Sequence, residues 1–273
     1  MAMWIASLNS GSNGNCYYIG NHQDAVLIDA GLSCKDIARR MKALGLHMQK
    51  VRAVFITHEH ADHIKGVDGL AKKYWLPHYF TEKTFAASSV KPDRSLVRFF
   101  NSGTIIKVGS LVISSAPSNH DAVDPHSFTV TDGTSTAGVF TDMGSMTDAE
   151  KVLFSQCQAV FLEANYDEEM LRNGRYSESL KRRIQSNSGH LSNSQAAALA
   201  ETFRHKHLAH IFLSHLSKEN NRPDLAMAAF GNLHSDIQVH IAPRHGPSSV
   251  VCIAAGSSEV TQSSPMKQIS LFD

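Results

Sequence analysis

Short apolar, β-branched runs bounded by polar turns recur along the chain. "MWIASL", "CYYI", "AVLID", "AVFIT", "LVISSA", "SFTVT", "AGVFTD", "AVFLEA", "HIFLSH", "IQVHIA" and "VVCIAA" each have the length and composition of a strand. Between several of them the apolar spacing lengthens to a helical period, predicting helices at residues 35–44, 66–74, 147–154, 177–185, 192–203 and 223–230. Thr147 with Glu150, and Ser192 with Gln195, have capping-box spacing, in which a hydroxyl and a side chain three residues on satisfy amides that the first helical turn leaves unpaired. Strands crowded early in each half, then alternating helices and strands, predict an α/β fold of two sheets packed face to face with helices outside. From residue 256 the composition turns to Ser, Thr, Gln and Glu, which predicts a body of residues 1–255 and a flexible tail of 256–273.

Charge narrows the range of functions. The 26 Lys and Arg against 25 Asp and Glu leave a formal net charge of +1 over 273 residues, which excludes a globally basic nucleic-acid coat protein but leaves room for a local basic patch. Four scattered cysteines without C-x-x-C spacing, and a start lacking the charged and apolar segments of a signal peptide, point to a reduced cytosolic protein. No run reaches about 18 apolar residues, so no membrane span is expected. The unusual number is 16 histidines, since neutral imidazole is the commonest nitrogen ligand for transition metals.

Their placement gives that number meaning. In "AVFITHEHADHIKGV" a buried strand runs straight into His58, His60, Asp62 and His63, followed by a helix-compatible segment. Two histidines at i and i+2 on extended chain point the same way, while Asp62 and His63 sit where the chain turns into the helix and can face a second ion. A polar surface loop is the plainer alternative, but it does not explain four ligand-capable groups crowded behind one apolar strand.

This H-x-H-x-D-H pattern resembles the metal-binding signature of the metallo-β-lactamase superfamily, and "VLIDAG", "SAPSNHDAVDP", "GVFTDMG" and "IFLSHLS" resemble its other motifs. The resemblance implies a four-layer αββα sandwich. It also implies two divalent metal ions, Zn or Mn, one held by His58, His60 and His120, a second by Asp62, His63 and His215, with Asp142 shared and Asp29 bracing the metal loop by hydrogen bonds. For His120 and His215 an ordinary loop or core histidine is the alternative, and His245 in "APRHGPS" is a rival for the last ligand position and a candidate substrate contact. An aspartate bridge, where lactam-cleaving members generally carry cysteine, suits a pair of ions about 3.5–4 Å apart acting on a phosphodiester. His190 in "SGHLSNSQ" resembles the histidine of RNase Z-like relatives; with Asp62 it is a candidate catalytic group, as proton donor to the leaving oxygen, the alternative being a neighbour of the helix cap. Arg175, Arg182 and Arg183, in "RNGRYSESLKRRIQ", are candidates to grip flanking phosphates, or else a solvated helix face.

"SLNSGSNGNCYYI", "HDAVDPHSF", "LSHLSKENN" and "APRHGPS" are similar to the YycJ/WalJ branch of the superfamily, which implies a cytosolic 5′ to 3′ DNA exonuclease associated with mismatch repair. "QISLF" near the C-terminus resembles the short peptide by which bacterial repair proteins dock on the DNA sliding clamp. There Gln268 would anchor by its amide, Ile269 replaces the commoner leucine, and Leu271 and Phe272 would enter an apolar cleft. A small-molecule hydrolase of the cyclic-phosphodiester or glyoxalase type, and a non-catalytic clamp-bound adaptor, are the competing expectations.

Overall fold

The computed structural model describes residues 2–233 and 235–254. Two mixed sheets of seven strands each lie face to face. The first has the order β14-β1-β2-β3-β4-β5-β6 and the second β13-β12-β11-β10-β9-β8-β7. The strands are β1 Ala2–Asn9, β2 Cys16–Gly20, β3 Ala25–Ile28, β4 Val51–Phe55, β5 His78–Phe80, β6 Val97–Phe99 and β7 Ile105–Val108. They continue with β8 Leu111–Pro117, β9 His126–Thr131, β10 Thr136–Phe140, β11 Ala159–Glu163, β12 His210–Ser214, β13 Gln238–Ile241 and β14 Val251–Ala254. All eleven expected strands are present; β5, β6 and β7, at three or four residues, are too short for an alternating pattern to register.

Helices α1 Cys34–Ala43, α2 Ala61–Ile64, α3 Val67–Tyr74 and α4 Glu82–Ala87 belong to the first half. Helices α5 Asp148–Phe154, α6 Glu168–Asn173, α7 Glu178–Ile184, α8 Asn193–Phe203 and α9 Pro223–Ala229 belong to the second. Both capping boxes close, with Thr147 and Glu150 starting α5 and Ser192 and Gln195 starting α8. Three apolar layers result. Phe55, Phe128, Phe161 and Phe212 pack between the sheets, Ile37, Met41 and Leu70 pack under α1 and α3, and Phe154, Ala196 and Ala200 pack under α5 and α8. Period-2 strands buried on both faces require this four-layer αββα arrangement.

Register brings the chemistry to one edge. β3 and β4 run parallel with Ile28 beside Phe55, and β10, β11 and β12 run parallel with Phe140 beside Leu162 and Glu163 beside Ser214. The residues that follow these strands therefore leave the sandwich together. Among the described residues no helix is long and apolar enough to cross a membrane.

Candidate metal centre

Beyond Phe55, Thr57 fastens the loop that follows β4. Its backbone N–H donates to Asp29 Oδ1 at 2.8 Å and its hydroxyl to Asp29 Oδ2 at 2.9 Å. Asp29, wholly buried, also accepts from His63 Nδ1 at 2.7 Å. The chain passes between its neighbours only because residue 31 is glycine: a Cβ there would lie 1.6 Å from the Asp62 carbonyl oxygen. That carbonyl accepts from the Asn15 N–H at 2.7 Å, tying the metal loop to the glycine-rich turn after β1.

The imidazoles share one orientation. His58 Nδ1 lies 2.9 Å from the Thr57 hydroxyl, His63 Nδ1 is on Asp29, His120 Nδ1 is 3.3 Å from the Gly189 carbonyl, and His215 Nδ1 is 3.0 Å from Glu163 Oε1. Carbonyls and carboxylates only accept, and the Thr57 hydroxyl is already spent on Asp29, so each Nδ1 carries a proton and Nε2 is the ring atom turned toward the cluster, that of His63 lying 3.0 Å from Asn15 Nδ2. His60, at the N-cap of α2, differs: its Nδ1 faces His58 Nε2 at 3.0 Å.

Asp142 stands among these rings. Its Oδ2 is 3.3 Å from His63 Nε2, and its Oδ1 is 3.3 Å from His215 Nδ1 and 3.9 Å from His120 Nε2. Asp62 approaches His63 Nε2 at 3.6 Å. Three groups of donors could each hold a metal ion: His58, His60 and His120; His58, His63 and Asp142; and Asp142, Glu163, His190 and His215.

Electrostatics follow from this crowding in a dry site. Burial alone would lift the Asp142 carboxyl, but His215, then His63, His120 and His58, hold it well below the usual range. Burial works against charge on His63 and His215 too, yet Asp29 and Asp142 lift His63 to about 10, and Asp142 and Glu163 lift His215 to about 9. Burial pushes His58 well below its ordinary value, and His120 also goes down. The cleft therefore attracts positive charge on the His63 and His215 side, where the carboxylates stand, while burial keeps His58 and His120 neutral, the form in which histidine binds metals.

A cleft of about 240 Å³ opens over the cluster, lined by Ser12, His60, Asp62, His120, Asp142 and His215 together with Leu180, Arg183, Ile184 and His190. Of the expected basic contacts only Arg183 lines it, with its guanidinium 2.6 Å from Asp121. Arg175 is paired with Glu219 away from the cleft, and Arg182 is not part of its wall. His245 is exposed, 3.5 Å from Asn13 Nδ2, and outside the donor groups, whereas His215 is in one of them. His126 is buried against Phe100 and contributes no donor to the groups. The "QISLF" peptide, with Gln268, Ile269, Leu271 and Phe272, lies outside the described residues.

Sequence reasoning missed Glu163. Wholly buried at the end of β11, it accepts from His190 Nδ1 at 2.7 Å and His215 Nδ1 at 3.0 Å through Oε1, and from the Met143 N–H through Oε2. Burial opposes its charge, but His190 and His215 hold the carboxyl below its usual range. An acidic residue closing an otherwise apolar strand, one lattice step from His215, was the available signal.

This architecture and donor set are those of the metallo-β-lactamase superfamily, whose profile matches residues 10–145, and the chain belongs to that superfamily. Within it, the chain is 38% identical over 232 residues to the exodeoxyribonuclease YycJ of Bacillus anthracis, spanning 83% of this chain and 87% of that one. It is likewise 38% identical over 225 residues to the exodeoxyribonuclease WalJ of Streptococcus pneumoniae, spanning 80% and 83%. Among solved structures the fold is similar to that of Bacillus subtilis YhfI, with a TM-score of 0.69 at 17% identity over 90% of this chain and 99% of that one. The short form of human tRNase Z gives 0.59 at 15% identity over 90% and 98%.

Proposed function

We propose that the chain is a metal-dependent phosphodiesterase that degrades DNA from an end, 5′ to 3′, in the cytoplasm. The observation that carries this reading is the convergence of imidazole and carboxylate donors on one cleft, with Asp142 Oδ2 buried and without a hydrogen bond. An orphaned carboxylate oxygen facing His63 Nε2 at 3.3 Å fits a divalent ion of borderline softness, and mixed nitrogen and oxygen donors suit Zn²⁺ or Mn²⁺. The reading assigns His58, His60 and His120 to one ion, Asp62, His63 and His215 to a second, and Asp142 to both. Ions bound there supply Lewis acidity toward a phosphoryl oxygen and make water nucleophilic at neutral pH.

The chain's own groups do the rest. Glu163 holds the Nδ1 proton of His190, leaving Nε2, which has no hydrogen-bond partner among the described residues, to give a proton to the departing oxygen. Arg183, at the wall of the cleft, exchanges its Asp121 partner for a phosphate oxygen. The 38% identity to two exodeoxyribonucleases supports DNA as the substrate, and the unpaired state of all four cysteines supports a reducing compartment.

The reading takes residues 1–255 as the catalytic body and 256–273 as a tail whose QISLF peptide docks on the sliding clamp, alongside mismatch-repair proteins. Tethering of this kind raises the effective DNA concentration for a protein of net charge +1. Incubating the purified protein, with Zn²⁺ or Mn²⁺ added, with end-labelled single- and double-stranded DNA tests the activity, with Asp62→Ala as the inactive control. Hydrolysis of a small thioester without action on DNA overturns it. Deleting residues 268–273 abolishes clamp capture in a pull-down while short oligonucleotides are still degraded; retained capture refutes the tail assignment.

A further inference from the structure

The part of the cleft lined by Ser12 has no assigned role. We propose that Ser12, the backbone amides of Ser12 and Asn13, and Arg244 form a subsite for a non-scissile phosphate of the DNA strand, next to the one being cut; this rests on the reading of the cleft as a nuclease site. Ser12 lines the cleft, and its Oγ accepts from Arg244 Nη2 at 3.0 Å. Arg244 Nη1 donates to the Leu216 carbonyl at 3.2 Å, directly after the ligand candidate His215. Among the described residues no carboxylate lies within ion-pairing distance of Arg244, in contrast to Arg175, Arg183 and Arg222, each of which has one. Its guanidinium is therefore held by hydrogen bonds without an ion-pair partner, the nearby Glu219 being paired with Arg175.

Geometry fixes it there. Gly11 has φ +132°, and a Cβ at that residue would come within 2.9 Å of Arg244 Nη1, so the guanidinium packs against a bare backbone. The turn that follows is braced from within: Gly11 N–H donates to Asn15 Oδ1 at 2.8 Å and Gly14 N–H to the Gly11 carbonyl at 2.8 Å. Neither Ser12 nor Asn13 spends its own N–H among the described residues, and the Asn13 side chain is occupied with the Arg244 carbonyl at 2.8 Å. Consecutive free amides in a glycine-rich turn, a hydroxyl and an unpaired guanidinium are the elements of an anion nest. Arg183 then lines the cleft directly and Arg244 reaches it through Ser12, giving two cations for a strand whose phosphates repeat on either side of the scissile bond.

Single-stranded oligonucleotides carrying one neutral methylphosphonate, moved linkage by linkage from the end, test the subsite. Wild-type protein should lose about tenfold in kcat/KM, mostly through KM, when the neutral linkage falls at one position beside the cut. Arg244→Gln should be about tenfold slower on all-phosphate DNA and insensitive to the neutral linkage at that position, and Arg244→Lys should recover part of the difference. Binding of a labelled phosphorothioate strand, read by fluorescence anisotropy, should show a salt dependence shallower by about 0.7 in log–log slope for Arg244→Gln, the contribution of one phosphate on single strands. Equal sensitivity of wild type and Arg244→Gln at every linkage, an unchanged salt slope, or a loss in Arg244→Gln as large on bis(p-nitrophenyl) phosphate as on DNA overturns the subsite while leaving the nuclease reading standing. Absence of DNA cleavage by the wild type overturns both.

Discussion

Replacing Glu163 by glutamine tests the part of the site that composition and motif left invisible. The carboxylate accepts from two imidazoles through one oxygen, at 2.7 Å from His190 and 3.0 Å from His215, with no exposure to water. Hydrogen bonds to a charged group contribute about 1.5–3 kcal/mol each. An amide oxygen keeps a weaker bond to one ring, while its NH₂ cannot accept from the Met143 N–H now held by Oε2. A net loss of about 2–3 kcal/mol falls on the orientation of the two histidines, corresponding to about 30- to 160-fold in kcat/KM. Part should appear as weaker metal retention through His215, since loss of a partner behind a ligand typically costs about 10- to 100-fold in affinity or activity. The assay pairs kinetics on end-labelled DNA with metal content after dialysis against a graded chelator, and thermal melts check folding. His190→Gln should lower the rate with metal retention near wild type, and adding Glu163→Gln to it should cost less than the separate losses predict. A folded Glu163→Gln protein within threefold of wild type in both rate and metal content refutes this role.

Gly31→Ala forces a Cβ to 1.6 Å from the Asp62 carbonyl, so the metal loop must move; loss of bound metal and a destabilisation of about 3 kcal/mol or more are expected, read by elemental analysis and urea unfolding. Thr147→Ala removes the α5 cap and the hydroxyl's 2.9 Å bond to the Pro117 carbonyl, lowering stability by about 1–2 kcal/mol and Tm by a few degrees in calorimetry. Buried His78 is pushed down by desolvation, offset in part by the Leu76 backbone, to about 4 against 6.5 in the unfolded chain. The unfolded state therefore binds the extra proton first, and about 3 kcal/mol of stability present above pH 6.5 is lost as pH falls to 4. In urea unfolding His78→Leu should flatten that part of the pH profile, and an unchanged profile contradicts the assignment.

The sequence disclosed those site residues that follow an apolar strand as an isolated polar break, such as His58, Asp142 and His215. Glu163 escaped because it is the last residue of its strand rather than the first of a loop, and "AVFLEA" read like its neighbours. The omission matters to the site's electrostatics, because Glu163 adds a buried carboxylate directly behind His190 and His215. The basic run was legible as a run but not as a surface. On α7 the residues at i, i+3 and i+4, namely Leu180, Arg183 and Ile184, share the face that meets the cleft, and Arg182, one position back, is turned about 100° away. For His245 the strand that precedes it was visible, but not that β13 is an edge strand whose following loop carries the side chain out to solvent.

Backbone strain gives independent reason to regard this edge as built for chemistry rather than stability. Four described non-glycine residues have positive φ, and Trp75, at +55°, is the left-handed cap of α3. The other three are Asp29 at +63°, Asp142 at +56° and His215 at +57°, just beyond the ends of β3, β10 and β12. Each such residue costs on the order of 1–3 kcal/mol and persists only where surrounding bonds over-determine it. Asp29 N–H is held by the Phe55 carbonyl and His215 N–H by Ser10 Oγ, both at 2.8 Å. A sandwich selected for stability alone would place glycine or asparagine at these turns. Here the left-handed residue reverses the chain at the strand end, so that Asp142 and His215 meet at 3.3 Å and Asp29, from the other sheet, reaches Asp142 through the His63 ring.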